Sequence, residues 1–180
     1  MKKLLVLIPF LLVAAACGSK PKEPLSPTEA SYNAKLTPEL STLTSDDSTE
    51  KVSVSIASNE DANVKYDMEI GNPCYLKTLS NGLKEIIVKP GAYIKSVSEY
   101  KVDRIIVDFF AGKGVNFGVY ASADGSGDAL EYHESSIAPV YPEDNGVVYE
   151  YAINGNAWCL KNNTEFNKPA FYSITVVFSK

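Results

Sequence analysis

From Val52 onward the chain alternates apolar and polar residues with a period of two, and that pattern restricts it to strands with one buried face. Val52, Val54 and Ile56 alternate with Ser53 and Ser55, and Val64, Tyr66, Met68 and Ile70 with Lys65, Asp67 and Glu69. Val115, Phe117 and Val119 interleave with Asn116 and Gly118, and Val147, Tyr149, Tyr151 and Ile153 with Val148, Glu150 and Ala152. The last run sets Tyr172, Ile174, Val176 and Phe178 on one face and Ser173 and Thr175 on the other. Further apolar runs lie at about 83–88, 92–97 and 102–110, with a short one from Trp158 to Leu160. Turn chemistry separates the runs at Asn72-Pro73, Asn81-Gly82, Pro90-Gly91, Lys113-Gly114, Asp124-Gly125, Asn145-Gly146 and Asn154-Gly155. About nine short strands with no helical crossover predict an all-β chain, an antiparallel sandwich forming one domain over residues 51–180. That length is enough for two facing sheets around one core.

The N-terminus has a different character. Lys2 and Lys3 precede an apolar run from Leu4 to Val13, and the small residues Ala14, Ala15 and Ala16 lead to Cys17. This is the three-part pattern of a secretory signal, and the apolar run is too short for a spanning helix of roughly 20 residues. With its cysteine directly after the small residues, segment 1–16 resembles a bacterial lipoprotein signal peptide. The usual Leu three residues before the cysteine is Ala14 here. The resemblance implies lipidation of Cys17 with palmitate-like acyl chains, hence anchoring to a membrane of the bacterial cell envelope with the domain outside the cytoplasm. Residues 17–50 carry Pro21, Pro24, Pro27 and Pro38 among Ser, Thr, Lys and Glu, a composition expected to form a flexible tether.

Charge narrows the partners. The chain holds 17 basic and 22 acidic residues. Removing Lys2 and Lys3 leaves 15 against 22, a charge of −7. Such a domain is repelled by anionic head groups and lacks the concentrated Lys and Arg that nucleic acid requires.

Three strings in the second half bear a resemblance. Ala92-Tyr93-Ile94-Lys95-Ser96 followed by Val102-Asp103-Arg104-Ile105-Ile106-Val107 is one, and Gly114 to Ser122 is the second. Leu160-Lys161-Asn162 followed by Ala170 to Val176 is the third. Together they cover about 92–178, and they resemble the jelly-roll modules of bacterial surface lipoproteins. The resemblance implies a jelly-roll β-sandwich, a class that includes many carbohydrate-binding domains.

Chemistry-bearing clusters are sparse. The single histidine, His133, disfavours His-rich zinc sites and a Ser-His-Asp triad. Glu131 and His133 share a strand face without a third partner, which reads as a solvated strand end. The Asp124-Gly-Ser-Gly-Asp128 loop has carboxylates four apart but departs from the EF-hand pattern at Ala129 and Ser135, so it reads first as a hairpin loop, with calcium worth testing. No carboxylate pair is aligned for glycoside hydrolysis. No cofactor, metal site or catalytic residue is expected, and the chain reads as a non-enzyme. Cys74 and Cys159 are the thiols left after lipidation, and outside the cytoplasm they form either a disulfide or two buried free thiols.

Aromatic residues carry the binding signal. Trp158 alternates with Cys159, so in a regular strand one of them faces outward. As an outward residue, Trp158 would stack on a sugar ring, with Asn156 and Asn162 offering hydrogen bonds and Tyr132 and Tyr141 joining from neighbouring loops. A lone Trp in a sandwich is more often core. Two functions stand from this reading. One is a surface-anchored binding lipoprotein that captures glycan; the other is a structural lipoprotein that docks to an envelope protein and takes no small molecule.

Overall fold

The computed structural model describes residues 28–33, 51–71, 73–80, 82, 84–110, 112 and 115–179, with residues 28–33 described by backbone alone. Segment 1–16, Cys17 and the rest of 17–50 lie outside the described residues.

The regular elements of the described chain are all strands, apart from one 3-10 turn at Pro142–Asp144. In chain order the strands are β1 (Thr28–Asn33), β2 (Val52–Ala57), β3 (Lys65–Gly71), β4 (Cys74–Thr78), β5 (Lys84–Val88) and β6 (Tyr93–Ser96). There follow β7 (Lys101–Phe110), β8 (Gly118–Tyr120), β9 (His133–Glu134), β10 (Gly146–Gly155), β11 (Cys159–Lys161) and β12 (Ala170–Ser179). They form two antiparallel sheets, a β-sandwich. The larger sheet has the order β4-β5-β12-β7-β10-β9, with β1 also paired to β12. The smaller has the order β2-β3-β6-β11-β8. From β5 to β8, and again from β10 to β12, each connection crosses from one sheet to the other.

Alternation in sequence becomes alternation in burial. In β2 and β3, Val54, Ile56, Tyr66, Met68 and Ile70 are buried while Ser53, Ser55, Lys65 and Asp67 are exposed. The inner faces meet in one core that runs through Ile86, Val88, Val107, Phe109, Leu160, Ile174, Val176 and Phe178. Burying each such side chain contributes roughly 1.5–3 kcal/mol. Aromatic rings interlock at its centre: Phe117 meets Phe109 edge-on at 5.0 Å and Phe171 at 4.9 Å. The long spine strand β12 has β7 along one edge, while β5 and β1 share the other at Ala170–Phe171 and Ser173–Phe178 respectively.

Two sequence expectations change here. Residues 28–33, inside the segment whose composition suggests a tether, form a strand because β12 is long enough to leave an unpaired edge beyond β5. Of the Val115–Val119 run, only the end enters a strand, since β8 pairs with a β11 of three residues.

Candidate functional site

The outward face of the larger sheet is where side chains remain available for chemistry. Register places Tyr75 of β4 opposite Ile87 of β5, and Ile87 opposite Ala170 of β12. Phe171 pairs with Phe109, which brings Phe110 of β7 beside Ala170. The result is a transverse row, Tyr75–Ile87–Ala170–Phe110, with an aromatic ring at each end and small or slim apolar groups between. Three strand spacings separate the ends, roughly 14 Å. The row lines a groove of about 410 Å³.

Polar groups stand along the next row. Lys77 pairs in register with Glu85, and its Nζ lies 3.3 Å from a Glu85 carboxylate oxygen. Glu85 is only 5% exposed, so its carboxylate is a fixed acceptor rather than a solvated one. Lys77 is half exposed, and Lys168 reaches the same groove from the loop before β12. An aromatic-ended groove with a buried acceptor and two ammonium donors can stack apolar ring faces and hydrogen-bond hydroxyl groups at once.

None of these seven residues was singled out from sequence as part of a site. The signal was present in Lys84-Glu85-Ile86-Ile87-Val88, where a carboxylate adjoins an apolar run in one strand. Ile86 and Val88 face the core, whereas Glu85 and Ile87 face outward.

The residues chosen from sequence disperse. Trp158 is fully buried, and its indole Nε1 donates to the Tyr66 hydroxyl at 2.9 Å, which in turn donates to Ser96 Oγ at 2.7 Å. It is core, not a stacking platform. Cys159, which alternation would then send to the surface, is also buried because the Asp124–Asp128 loop folds over it: a Cβ on Gly125 would lie 3.4 Å from its Sγ. Asn162 is buried with every amide group engaged. Its Nδ2 donates to the carbonyls of Val88 and Asn167, and its Oδ1 accepts from the N–H and hydroxyl of Thr164. It ties the loop before β12 to β5 and offers nothing to a ligand. Tyr141 is buried, edge-on to Tyr172 at 4.9 Å. Tyr132 is 46% exposed but lies flat on Tyr149, ring centres 4.2 Å apart, closing the edge of the sandwich. Asn156 is exposed in the turn after β10. The structure does not bring Trp158, Tyr132, Tyr141, Asn156 and Asn162 together as one site.

The thiols and the acidic loop resolve in the same way. Cys74 and Cys159 are both free and buried, so the disulfide alternative is set aside. Cys74 Sγ donates to the Gly71 carbonyl at 3.0 Å. Burial pushes its thiol up to about 12 and that of Cys159 up to about 11, far from the range of a nucleophile at neutral pH. In the acidic loop, Asp124 Oδ1 accepts from the hydroxyl of Ser126 at 2.7 Å and its N–H at 3.1 Å. Those bonds hold the carboxyl below its usual range. Glu131 and His133 are both exposed.

Comparison with protein-family models, with curated proteins and with solved structures finds no match for this chain.

Proposed function

We propose that this chain is a surface-anchored, non-enzymatic binding lipoprotein of the bacterial cell envelope that captures carbohydrate in the groove of its larger sheet. The observation that carries the reading is the Tyr75–Ile87–Ala170–Phe110 row with Glu85, Lys77 and Lys168 beside it. Sugar rings present apolar faces to aromatic side chains and hydroxyls to fixed carboxylates and ammonium groups. The strand order adds support for the jelly-roll reading. In the larger sheet the run β5-β12-β7-β10, and in the smaller β6-β11-β8, nest early strands beside late ones as two Greek keys do. The short β9 departs from that winding, since it pairs with β10 instead of joining the smaller sheet.

The test is a glycan-array screen of residues 18–180, with and without calcium, beside the double variant Tyr75→Ala, Phe110→Ala. A saturable hit lost in the double variant is the expected outcome. Silence across a broad array overturns the glycan reading and favours docking to an envelope protein, a role supported by Phe166, 86% exposed in the loop between β11 and β12. The anchor is tested separately: Cys17→Ser is expected to leave the membrane fraction, and its retention there overturns the lipoprotein assignment.

A further inference from the structure

A second cavity, of about 240 Å³, lies on the same sheet under the loop that joins β9 to β10. The loop is fixed at both ends. Ser135 donates from its hydroxyl to Glu150 at 2.6 Å and from its N–H to the Val148 carbonyl at 2.8 Å. At the far end, the Val140 N–H donates to Asp108 Oδ2. Asp108 is 3% exposed, and its other oxygen, Oδ1, has no hydrogen-bond partner among the described residues. The hydroxyl of Tyr141, the next residue along the loop, is also buried without a hydrogen-bond partner among the described residues.

No cation among the described residues answers this carboxylate. Two outward positions along β7, Arg104 is committed to Glu150 at 3.4 Å. β12 presents Ser173 and Thr175, which are uncharged, and the loop presents Ile137, Ala138 and Val140. An unpaired buried carboxylate is strongly unfavourable, and native interiors pair nearly all such groups. Water would satisfy the hydrogen bond but not the charge. The remaining walls are apolar: Ile106 and Val148 from the sheet, Ile137 from the loop.

We infer that this cavity binds a small organic cation, one that presents ammonium or guanidinium N–H groups on a short apolar stem. Its N–H donors meet Asp108 Oδ1, and its stem packs on Ile106, Val148 and Ile137. The volume is below the 300–1,000 Å³ usual for larger ligands, which selects a small one. This site is separate from the groove, and its occupancy does not depend on glycan binding.

The experiment is an NMR titration of the full chain with n-butylammonium chloride, following the Val140 amide, with n-butanol and potassium chloride as controls. A saturable shift is expected with n-butylammonium alone. Asp108→Asn keeps an acceptor for Val140 but removes the charge, and it should weaken binding at least tenfold. Ala138→Leu fills the cavity from the loop and should abolish binding with Asp108 intact. Absence of a saturable shift, as for a cavity that holds only water, overturns the inference. So does an equal response to potassium chloride, or to n-butanol, or in Asp108→Asn. If Asp108→Asn does not fold, undiminished binding in Ala138→Leu overturns it.

Discussion

Trp158 and Asp108 show the two ways a buried polar atom is treated in this molecule. The indole N–H of Trp158 belongs to a chain that runs through Tyr66 to Ser96, so the ring is held by packing and by hydrogen bonds together. Trp158→Ala is expected to lower stability by about 3–5 kcal/mol, read from urea unfolding, because it leaves a large cavity and orphans the Tyr66 hydroxyl. Asp108 has the opposite environment. Burial raises its carboxyl from the ordinary 3.8 to about 6. Between those values the folded state keeps a proton that the unfolded state releases, so stability falls as pH rises from about 4 to about 6 and then levels. A shift of that size corresponds to about 3 kcal/mol. Asp108→Asn should remove this slope. Its stability relative to the parent chain is expected to increase between pH 4 and pH 8, measured from urea midpoints at each pH.

Among the elements, the β3–β6 pair depends on a close approach. Gly71 is the register partner of Tyr93, and a Cβ added at Gly71 would fall inside the Tyr93 ring. The ring therefore lies over bare backbone, a cross-strand arrangement in which an aromatic covers a glycine. Its hydroxyl then donates to Glu69 at 2.7 Å, and Lys95 Nζ sits 3.3 Å from the same Glu69 oxygen and 4.8 Å from the ring centre. The hydrogen bond from Tyr93, ahead of the Lys95 charge, holds the Glu69 carboxyl below its ordinary range. Gly71→Ala is expected to cost about 1–3 kcal/mol by overpacking. Adding Tyr93→Ala should recover part of that loss, which a double-mutant cycle in urea will read.

At the scale of the whole molecule, β12 is the spine, and the stretch of its edge beyond β5 matters. β1 covers Ser173–Phe178 on the side away from β7. Beginning the chain at residue 51 removes β1 and keeps every core residue from Val54 to Phe178. Such a chain is expected to fold and to associate through the uncovered edge, whereas residues 18–180 should remain monomeric. Light scattering of the two forms at equal concentration checks this, and a monomeric short form would show that β1 is not needed to protect the edge. The same sheet carries both candidate sites on its outward side, so the groove and the Asp108 cavity share one rigid support.

Much of this architecture was legible in the linear chain because strand parity is local. The alternation in Val52–Ile56, Val64–Ile70 and Ile174–Phe178 set which side chains are inward, although a register shift after Phe171 puts Phe171 rather than Tyr172 in the core, and the turn pairs separated the strands. An all-β antiparallel sandwich follows from those features alone. What covers an outward face is not local, and there the sequence was silent. Trp158 and Cys159 alternate, yet both are buried, because the Asp124–Asp128 loop, far earlier in the sequence, arrives to cover one of them. Asn162 looks like a free amide until its loop closes on β5. The Tyr75–Phe110 groove is assembled across four strands, and the Asp108 cavity needs β7, β12 and the loop before β10 at once. Parity fixes the two faces of each strand; only tertiary pairing decides which strands become neighbours, and hence which outward residues form a site.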